Sequence, residues 1–193
     1  MTRFTTPLGF LSRLCNRLQA RLAALVLLTG VLGSATVQAQ DVATAELARS
    51  PELRFQDFFQ KPIGPRGAQF TDTLRQADGK VLRITGYMVQ NERPNLGRFM
   101  LAPRPVRMSE HADGDADDLP LSWVMVYLDP SQQNFAIPHV QGLIELTGTV
   151  QVGRVEETDG RVSWVRLQLP QEATRGMNAF EVARHLHSLQ HSH

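Results

Sequence analysis

Cysteine is almost absent from this chain. The single cysteine, Cys15, lies before the most apolar stretch of the sequence, residues 22–32. The cysteine that carries the lipid of an exported lipoprotein follows such a stretch, so Cys15 is not placed for that role. No thiol follows residue 32, and the rest of the chain therefore cannot form a disulfide scaffold, a thiolate metal site or a cysteine-nucleophile site.

Lysine is also scarce, since Lys61 and Lys80 are the only two lysines. The whole chain carries 20 lysines and arginines against 19 aspartates and glutamates, and four of the arginines precede residue 40. The residues from 40 onward therefore carry 16 basic and 19 acidic side chains, a net charge of −3. Nonspecific nucleic-acid binding depends on clustered basic residues that release counterions, so we expect no nucleic-acid partner.

Familiar catalytic motifs are missing as well. The sequence has no Gly-x-Ser-x-Gly, no glycine-rich phosphate loop and no His-Glu-x-x-His, which are the patterns that place a nucleophile, a phosphate or a catalytic zinc. Ser109, Glu110 and His111 are neighbours in sequence, but the members of a catalytic triad meet in space rather than along the chain. We predict no catalytic residues, and a hydrolase with dispersed residues is the least favoured alternative.

No apolar run is long enough to cross a bilayer as a helix, which takes about 20 residues. Residues 22–32 supply roughly half that length, follow four arginines and lead into small residues that end with Val37 and Ala39. A basic start, a short apolar middle and a small-x-small end are typical of a secretory signal peptide. We predict that residues 1–39 are a signal peptide cleaved after Ala39 and that the protein is periplasmic, with a retained anchor as the alternative.

The remaining residues have the length of one domain and divide into three segments. Residues 40–77 are predicted to hold a short helix that begins at Ser50 and Pro51, followed by a turn rich in proline and glycine. Residues 78–170 hold the predicted strands. Residues 171–193 are predicted to form a helix, within residues 175–190, and a histidine-rich tail.

Five strands are predicted from alternating or continuous apolar patterns: residues 81–89, 98–102, 121–128, 142–152 and 161–169. The first and fourth share a Thr-Gly pair, and we expect Gly86 and Gly148 to mark a bulge or a sharp bend. The third is nearly all apolar, which predicts burial on both faces. Five curved strands without alternating helices predict a mainly β protein, a small five-stranded OB-like barrel with short flanking helices. A β-sandwich is the alternative.

Four histidines are candidate metal ligands, because imidazole binds zinc and copper: His111, His185, His187 and His191. His187 and His191 are one helical turn apart, and histidine-rich tails bind metals. Histidines on a frayed terminus also need no partner, so both interpretations stay open. Apart from zinc or copper at these residues, we expect no cofactor.

The acidic stretch between the second and third strands resembles the beginning of a calcium loop, with carboxylates at alternate positions. These carboxylates are Asp113, Asp115 and Asp117. Asp118 stands where the turn glycine of such a loop belongs, and Val124 stands where the bidentate glutamate belongs. The pattern therefore favours a solvated acidic loop over a calcium site.

Arginines and aromatic residues on the predicted strands, or just after one of them, form a candidate ligand groove: Tyr87, Arg98, Arg104, Trp164 and Arg166. If the arginines flank an exposed ring, they could hold an oligosaccharide, a peptide or another extended chain. Aromatic residues on strands are more often part of the core, so this alternative also remains.

Two stretches carry a resemblance to a known family, namely Gly-Lys-Val-Leu-Arg-Ile-Thr-Gly-Tyr-Met-Val at residues 79–89 and Phe-Met-Leu-Ala-Pro at residues 99–103. They resemble a family of uncharacterised exported bacterial proteins with a Gly-Lys-x-Val-x-Ile-x-Gly-Tyr-Met strand. The resemblance implies a place near ABC-transporter components, some of them linked to metal uptake. Family members carry a Cys-x-His after the second strand, and only His111 corresponds to it here.

The sequence favours a non-catalytic periplasmic binding or accessory protein with a protein partner in the cell envelope. A transport complex with an ABC-transporter component is one form of that partnership. A periplasmic zinc- or copper-binding protein is the alternative.

Overall fold

The structure is a computed structural model that describes residues 49–108, 110–111, 114–115 and 119–190, with backbone alone for residues 110–111 and 114–115. The predicted signal peptide with Cys15, His191 and most of the acidic stretch of residues 113–118 lie outside the described residues. None of the helices in the described part is both long and apolar enough to span a membrane.

The described residues form nine strands, two single 3₁₀ turns and three α-helices. The 3₁₀ turns are Phe55–Asp57 and Pro130–Gln132, and the helices are α1 (Asp72–Ala77), α2 (Gln171–Thr174) and α3 (Ala179–Ser188). The strands are β1 (Val81–Met88), β2 (Gln90–Asn91), β3 (Arg98–Ala102), β4 (Arg107–Met108), β5 (Glu110–His111), β6 (Gly114–Asp115), β7 (Val124–Tyr127), β8 (Leu143–Glu156) and β9 (Val162–Gln168).

Five of the strands form one main sheet that closes on itself in the order β1-β3-β7-β9-β8. Strand β1 pairs antiparallel with β8 over seven residues and with β3 over its last two. Strands β7 and β9 pair in parallel, and the other neighbours are antiparallel. The prediction of a mainly β protein with five principal strands is confirmed, and these strands belong to one sheet rather than two.

The core lies inside the main sheet because alternate residues of each strand point the same way. In β1, Leu82, Ile84 and Met88 are buried, while Arg83, Thr85 and Tyr87 on the other face are half-buried. The other four strands supply the same kind of row: Phe99, Leu101, Val124, Val126, Ile144, Leu146, Val150, Val165 and Leu167. The apolar alternation in the sequence therefore identifies correctly which strand residues face the interior of the sheet.

The two Thr-Gly glycines are required by close backbone approach rather than by a bulge. A Cβ on Gly148 would overlap the carbonyl oxygen of Gln168, and one on Gly86 would come within 2.9 Å of the carbonyl oxygen of Ala102. The β1–β8 pairing runs without a shift through both residues, so neither glycine marks a bulge in that pairing, and the alternative of a sharp bend stays a prediction. The register shift of the sheet lies between Val152 and Val155.

Strand β7 is buried on both faces, as predicted, although it begins at Val124 rather than at residue 121. Its outward residue Met125 and its neighbour Met100 on β3 are fully buried under a second apolar cluster. That cluster includes Val106, Met108 and Trp123. These residues flank the acidic stretch, so both ends of the connection between β3 and β7 pack on the outer face of the sheet.

The predicted helix at Ser50 and Pro51 is wrong. Residues 51–53 are extended beside β1, where the Leu53 N–H donates to the Arg83 carbonyl (2.8 Å) and the Arg83 N–H donates to the Pro51 carbonyl (2.9 Å). Strand β3 covers only the last two residues of β1, so the backbone groups of Arg83 need these partners. The helical turn begins later, at Phe55, and α1 was not predicted at all.

The predicted C-terminal helix is present as α3, which starts at Ala179. Asn178 caps it, accepting from the N–H groups of Phe180 and Glu181, while the Glu181 carboxylate accepts from the Asn178 N–H. This reciprocal pair is a capping box. Val182 and Leu186 point from α3 into the core, so the helix is held by packing as well as by its cap.

Candidate functional site

A cleft of about 570 Å³ opens where β3 begins and β7 ends. Arg98, the first residue of β3, is the direct cross-strand neighbour of Tyr127, the last residue of β7. Both line the cleft, together with residues 94–97, Asp129, Gln133 and the β8–β9 turn at Thr158. The cleft therefore sits at one end of the main sheet, between two connecting loops.

Backbone contacts hold the loop of residues 94–97 against the segment that follows β7. The Gly97 N–H donates to the Phe135 carbonyl (2.8 Å), and the Leu128 N–H donates to the Gly97 carbonyl (3.0 Å). Gly97 has a φ of +67°, and a Cβ there would overlap the backbone of Gln133. Only glycine fits this position, because other residues avoid positive φ and would also clash.

A buried carboxylate, Glu157, contacts the cleft residues Arg98 and Tyr127, and its side chain is 1% exposed. Its Oε2 accepts from Arg98 Nη1 at 2.9 Å and from the Tyr127 hydroxyl at 2.5 Å. Its Oε1 accepts from the Ser163 hydroxyl at 2.5 Å. We call these four residues the Glu157 cluster. Both carboxylate oxygens are engaged, so a general-base role would require breaking one of these hydrogen bonds.

Burial raises the pKa of Tyr127, and the hydrogen bond and negative charge of Glu157 raise it further, against the opposing effect of Arg98. The phenol therefore stays protonated and donates to Glu157. Arg98 Nη2 also donates to the Thr158 hydroxyl, which ties β3 to the β8–β9 turn. The Glu157 cluster thus holds both sides of the cleft in place.

Two further donors next to the cleft have no hydrogen-bond partner among the described residues. They are Arg98 Nε and Asn95 Nδ2, and both atoms are buried. Arg98 and Asn95 also line a smaller cavity of about 30 Å³ beside the cleft. Both atoms are withdrawn from solvent, and a buried donor without an acceptor costs free energy.

The opposite rim supplies acceptors. Asp129 accepts from the Ser131 hydroxyl (2.5 Å) and the Ser131 N–H (3.0 Å), and these hydrogen bonds lower the pKa of its carboxyl group. Gln168 donates from Nε2 to the Leu128 carbonyl (3.0 Å), and this hydrogen bond fixes its amide beside the cleft. An ionised carboxylate, amides and hydroxyls therefore face a rigid, polar cleft suited to binding.

The structure does not bring the five predicted groove residues together, and only Arg98 lines the cleft. Tyr87 lines a separate pocket of about 340 Å³ beside His139, and Trp164 lines another of about 310 Å³. Arg166 donates to the Gly153 carbonyl (2.8 Å) at the register shift of the sheet. Arg104 lies on the exposed turn after β3.

Glu157 and Tyr127 were missed by sequence reasoning. Residues 156–160 carry the local signal of a hairpin turn with Asp159 and Gly160 at its tip, and Tyr127 lies in a strand that is otherwise nearly all apolar. One signal was present: Ser163 shares its face of β9 with Val165 and Leu167. A hydroxyl in an otherwise apolar row needs a hydrogen-bond partner inside the sheet, and Glu157 supplies it.

The candidate metal ligands that the structure describes do not converge on one point. His185 and His187 lie two residues apart on α3, which places them about 200° apart around the helix. Partial burial lowers the pKa of His185. His111 lies in β5, for which only the backbone is described. His191 lies outside the described residues. In the described ranges, no group of three or more His, Cys, Asp or Glu side chains is placed to hold a metal ion.

Comparison with known proteins adds little to this geometry. No protein-family model matches the chain, and no curated protein matches it. Among solved structures, it is similar to the crystal structure of a DUF3299 family protein from Pseudomonas aeruginosa. The two share 16% identity over 62% of this chain and 92% of that chain, with a TM-score of 0.38. A likeness at that level assigns no function to this chain.

Proposed function

We propose that this protein is a non-catalytic periplasmic binding or accessory protein with an OB-type barrel, and that its ligand occupies the cleft at Arg98 and Tyr127. OB-type barrels bind ligands on the face of their second and third strands, between the loop joining strands one and two and the loop joining strands four and five. In the main sheet those strands are β3 and β7. The corresponding loops are residues 89–97 and 157–161, and both border the cleft.

The observation that carries the proposal is the Glu157 cluster. A buried carboxylate with three donors holds Arg98 and Tyr127 in one orientation at the cleft, before any ligand is bound. Polar groups fixed in advance lose little conformational entropy on binding. Val106, Met108 and Trp123 cover the neighbouring part of the β3–β7 face, so the ligand contacts the end of the face rather than its full length.

The chemistry of the cleft favours an uncharged ligand rich in hydroxyl or amide groups, such as a short oligosaccharide or peptide. The charge of Arg98 is offset by Glu157, while Asp129 adds a carboxylate at the rim. A polyanion would meet that carboxylate and a domain of net negative charge, which opposes nucleic-acid binding. Hydroxyls and amides can both donate to Asp129 and accept from the donors on the opposite side.

The export pattern of residues 1–39 supports a periplasmic location. The resemblance of residues 79–103 to exported proteins found near ABC-transporter components supports a partner in the cell envelope. The intact mass of the protein recovered from the periplasm tests the first point, since cleavage after Ala39 leaves Gln40 as the first residue. A mass that retains the first 39 residues, or starts elsewhere, would contradict it.

Amide-resolved NMR titration tests the cleft. The probes are chitotriose, a neutral alanine tetrapeptide and a short single-stranded DNA. We expect chitotriose or the peptide to shift the resonances of Gly97, Arg98, Tyr127 and Thr158, and the DNA to shift none of them. Arg98→Lys should reduce the response, because lysine cannot reproduce the paired guanidinium contacts. Arg154→Lys, on an exposed part of β8, is the matched control.

The proposal fails if neither neutral probe shifts cleft resonances while the DNA does, or if Arg154→Lys has the same effect as Arg98→Lys.

A further inference from the structure

The cavity of about 310 Å³ that Trp164 lines shares no lining residue with the cleft. Its apolar walls come from Phe59, Phe70, Leu121 and Trp164. The Phe70 ring lies 5.6 Å from that of Phe59 and 5.8 Å from that of Trp164, the latter edge to face. Three aromatic rings in such tilted contacts offer further edges and faces to a guest ring.

Backbone hydrogen bonds form this cavity in advance. Residues 59 and 70 pair across a hairpin, in which the Gln60 N–H donates to the Gln69 carbonyl (2.8 Å). The Thr71 N–H donates to the Phe58 carbonyl (3.1 Å) and continues the pairing. Trp164 extends outward from β9, so two independent elements hold the facing rings. A cavity with fixed walls needs little reorganisation to accept a ligand.

One charged side chain, Arg75 of α1, lines the cavity among the described residues, and the amide of Gln69 lies beside it. Arg75 Nη1 lies 2.7 Å from Asp72 Oδ1, but Asp72 is 86% exposed. An exposed ion pair of this kind is weak. The guanidinium has five N–H donors, so it can bind a second anionic group at the mouth of the cavity.

We propose that this cavity, formed by Phe59, Phe70, Leu121 and Trp164 with Arg75 at its mouth, binds a small amphipathic anion with an aromatic body. The volume sets the size of the body, since a cavity of about 150 Å³ holds one benzene ring and this one holds about twice that. The rings bind the body, and Arg75 binds a carboxylate or sulfonate. The site is independent of the cleft and of the ligand bound there.

Two fluorescent probes separate the body from the charged group: anilinonaphthalene sulfonate, which is anionic, and phenylnaphthylamine, which has the same rings without the charge. The chain has two tryptophans, and Trp123 belongs to the second apolar cluster. In a Trp123→Phe background, Trp164 is the one indole that can transfer energy to a bound probe. We expect saturable one-to-one binding of both probes with energy transfer from Trp164.

Three variants in that background locate the site. Leu121→Asp should weaken the binding of both probes by about tenfold or more, because a carboxylate replaces an apolar side chain in the cavity wall. Arg75→Gln should weaken the binding of the sulfonate probe by about tenfold and that of the neutral probe by less than about twofold. The reason is that only the charge-assisted hydrogen bonds to the sulfonate are lost. Phe180→Asp is the matched control, since Phe180 is 79% exposed and lies outside the cavity.

Circular dichroism of each variant checks that the fold is kept, and Leu121 is exposed enough that its substitution should not alter it. The proposal is overturned if Phe180→Asp weakens binding as much as Leu121→Asp does. It is equally overturned if Arg75→Gln affects both probes alike, or if the probes bind without energy transfer from Trp164.

Discussion

The guanidinium of Arg98 lies 2.9 Å from the carboxylate of Glu157, a residue 59 positions further along the chain. The Arg98 side chain is 11% exposed and that of Glu157 is 1% exposed, so the pair is largely withdrawn from water. It joins the start of β3 to the β8–β9 turn, the two elements that border the cleft. The stability of the fold and the proposed binding at the cleft therefore involve the same contact, and each can be tested separately.

Removal of one member of this pair should destabilise the fold. Arg98→Met leaves the buried Glu157 side chain with two hydroxyl donors and no cationic partner, and removing one member of a buried pair costs about 3 kcal/mol. The double variant Arg98→Met/Glu157→Gln should cost less than the two single changes together. Urea unfolding followed by tryptophan fluorescence measures each free energy. Additive costs would show that the two side chains are not coupled.

Alkaline pH should destabilise the protein through Tyr127. Burial and Glu157 raise the pKa of the phenol in the folded state above its ordinary value of 10.0. The stabilisation is therefore complete below pH 10 and is lost as the pH rises through the raised pKa. The chain has two tyrosines, so phenolate absorbance of Tyr87→Phe isolates Tyr127. Titration of that phenol at or below pH 10 would contradict the prediction.

Acid should destabilise the protein through His185. Burial lowers the pKa of the folded-state imidazole below its ordinary value of 6.5. The stabilisation is present above pH 6.5, where both states are neutral, and is lost as the pH falls through the lowered pKa. His185→Gln should flatten this part of the profile of unfolding free energy against pH, and His187→Gln is the control. Equal slopes for wild type and His185→Gln would refute the assignment.

Gly148→Ala should be strongly destabilising. The added Cβ would overlap the carbonyl oxygen of Gln168, and relief of overpacking by backbone shifts costs about 1–3 kcal/mol. Gly64→Ala is the matched control, because a Cβ there meets nothing within 4 Å and should change stability by less than about 0.5 kcal/mol. Thermal unfolding compares the two. Similar effects would mean that close approach at Gly148 is not the reason for the glycine.

Trp123→Ala should show whether the second apolar cluster stabilises the outer face of the sheet. Trp123 is 8% exposed and packs over Met100 and Met125, so its truncation should cost about 3–5 kcal/mol. Leu121→Ala, two residues earlier and partly exposed, should cost less than about 0.5 kcal/mol. Denaturant titration measures both values. A small cost at Trp123 would mean that the cluster adds little to stability.

Local pattern alone was enough to find the five strands of the main sheet. The alternation of Leu82 and Ile84 with polar neighbours marked the inner face of β1, and the continuous apolar run around Val126 marked a strand buried on both faces. These signals are local because side chains of a strand alternate between its two faces whatever the strand pairs with. The capping box at Asn178 and Glu181 is also a local signal, and it starts α3 at Ala179, later than the predicted residue 175.

The errors fall where a distant partner decides the local structure. Residues 51–53 have a good helical start signal, but the open edge of β1 at Arg83 offers backbone hydrogen bonds that an isolated turn lacks. The groove residues do not converge, because Tyr87 stands on β1 while Trp164 and Arg166 stand on β9, a strand that does not pair with β1. Their positions follow from strand order, which periodicity does not contain.

The sequence by itself determined which segments become the five strands of the main sheet and which side of each is apolar, because these properties depend on neighbours one to four residues away. The tertiary structure alone decided that the strands close in the order β1-β3-β7-β9-β8 and that Glu157 meets Arg98, Tyr127 and Ser163. Such contacts join residues far apart in the chain. A glutamate in a turn is ordinarily solvated. Here burial makes Glu157 the centre of a hydrogen-bonded cluster beside the cleft.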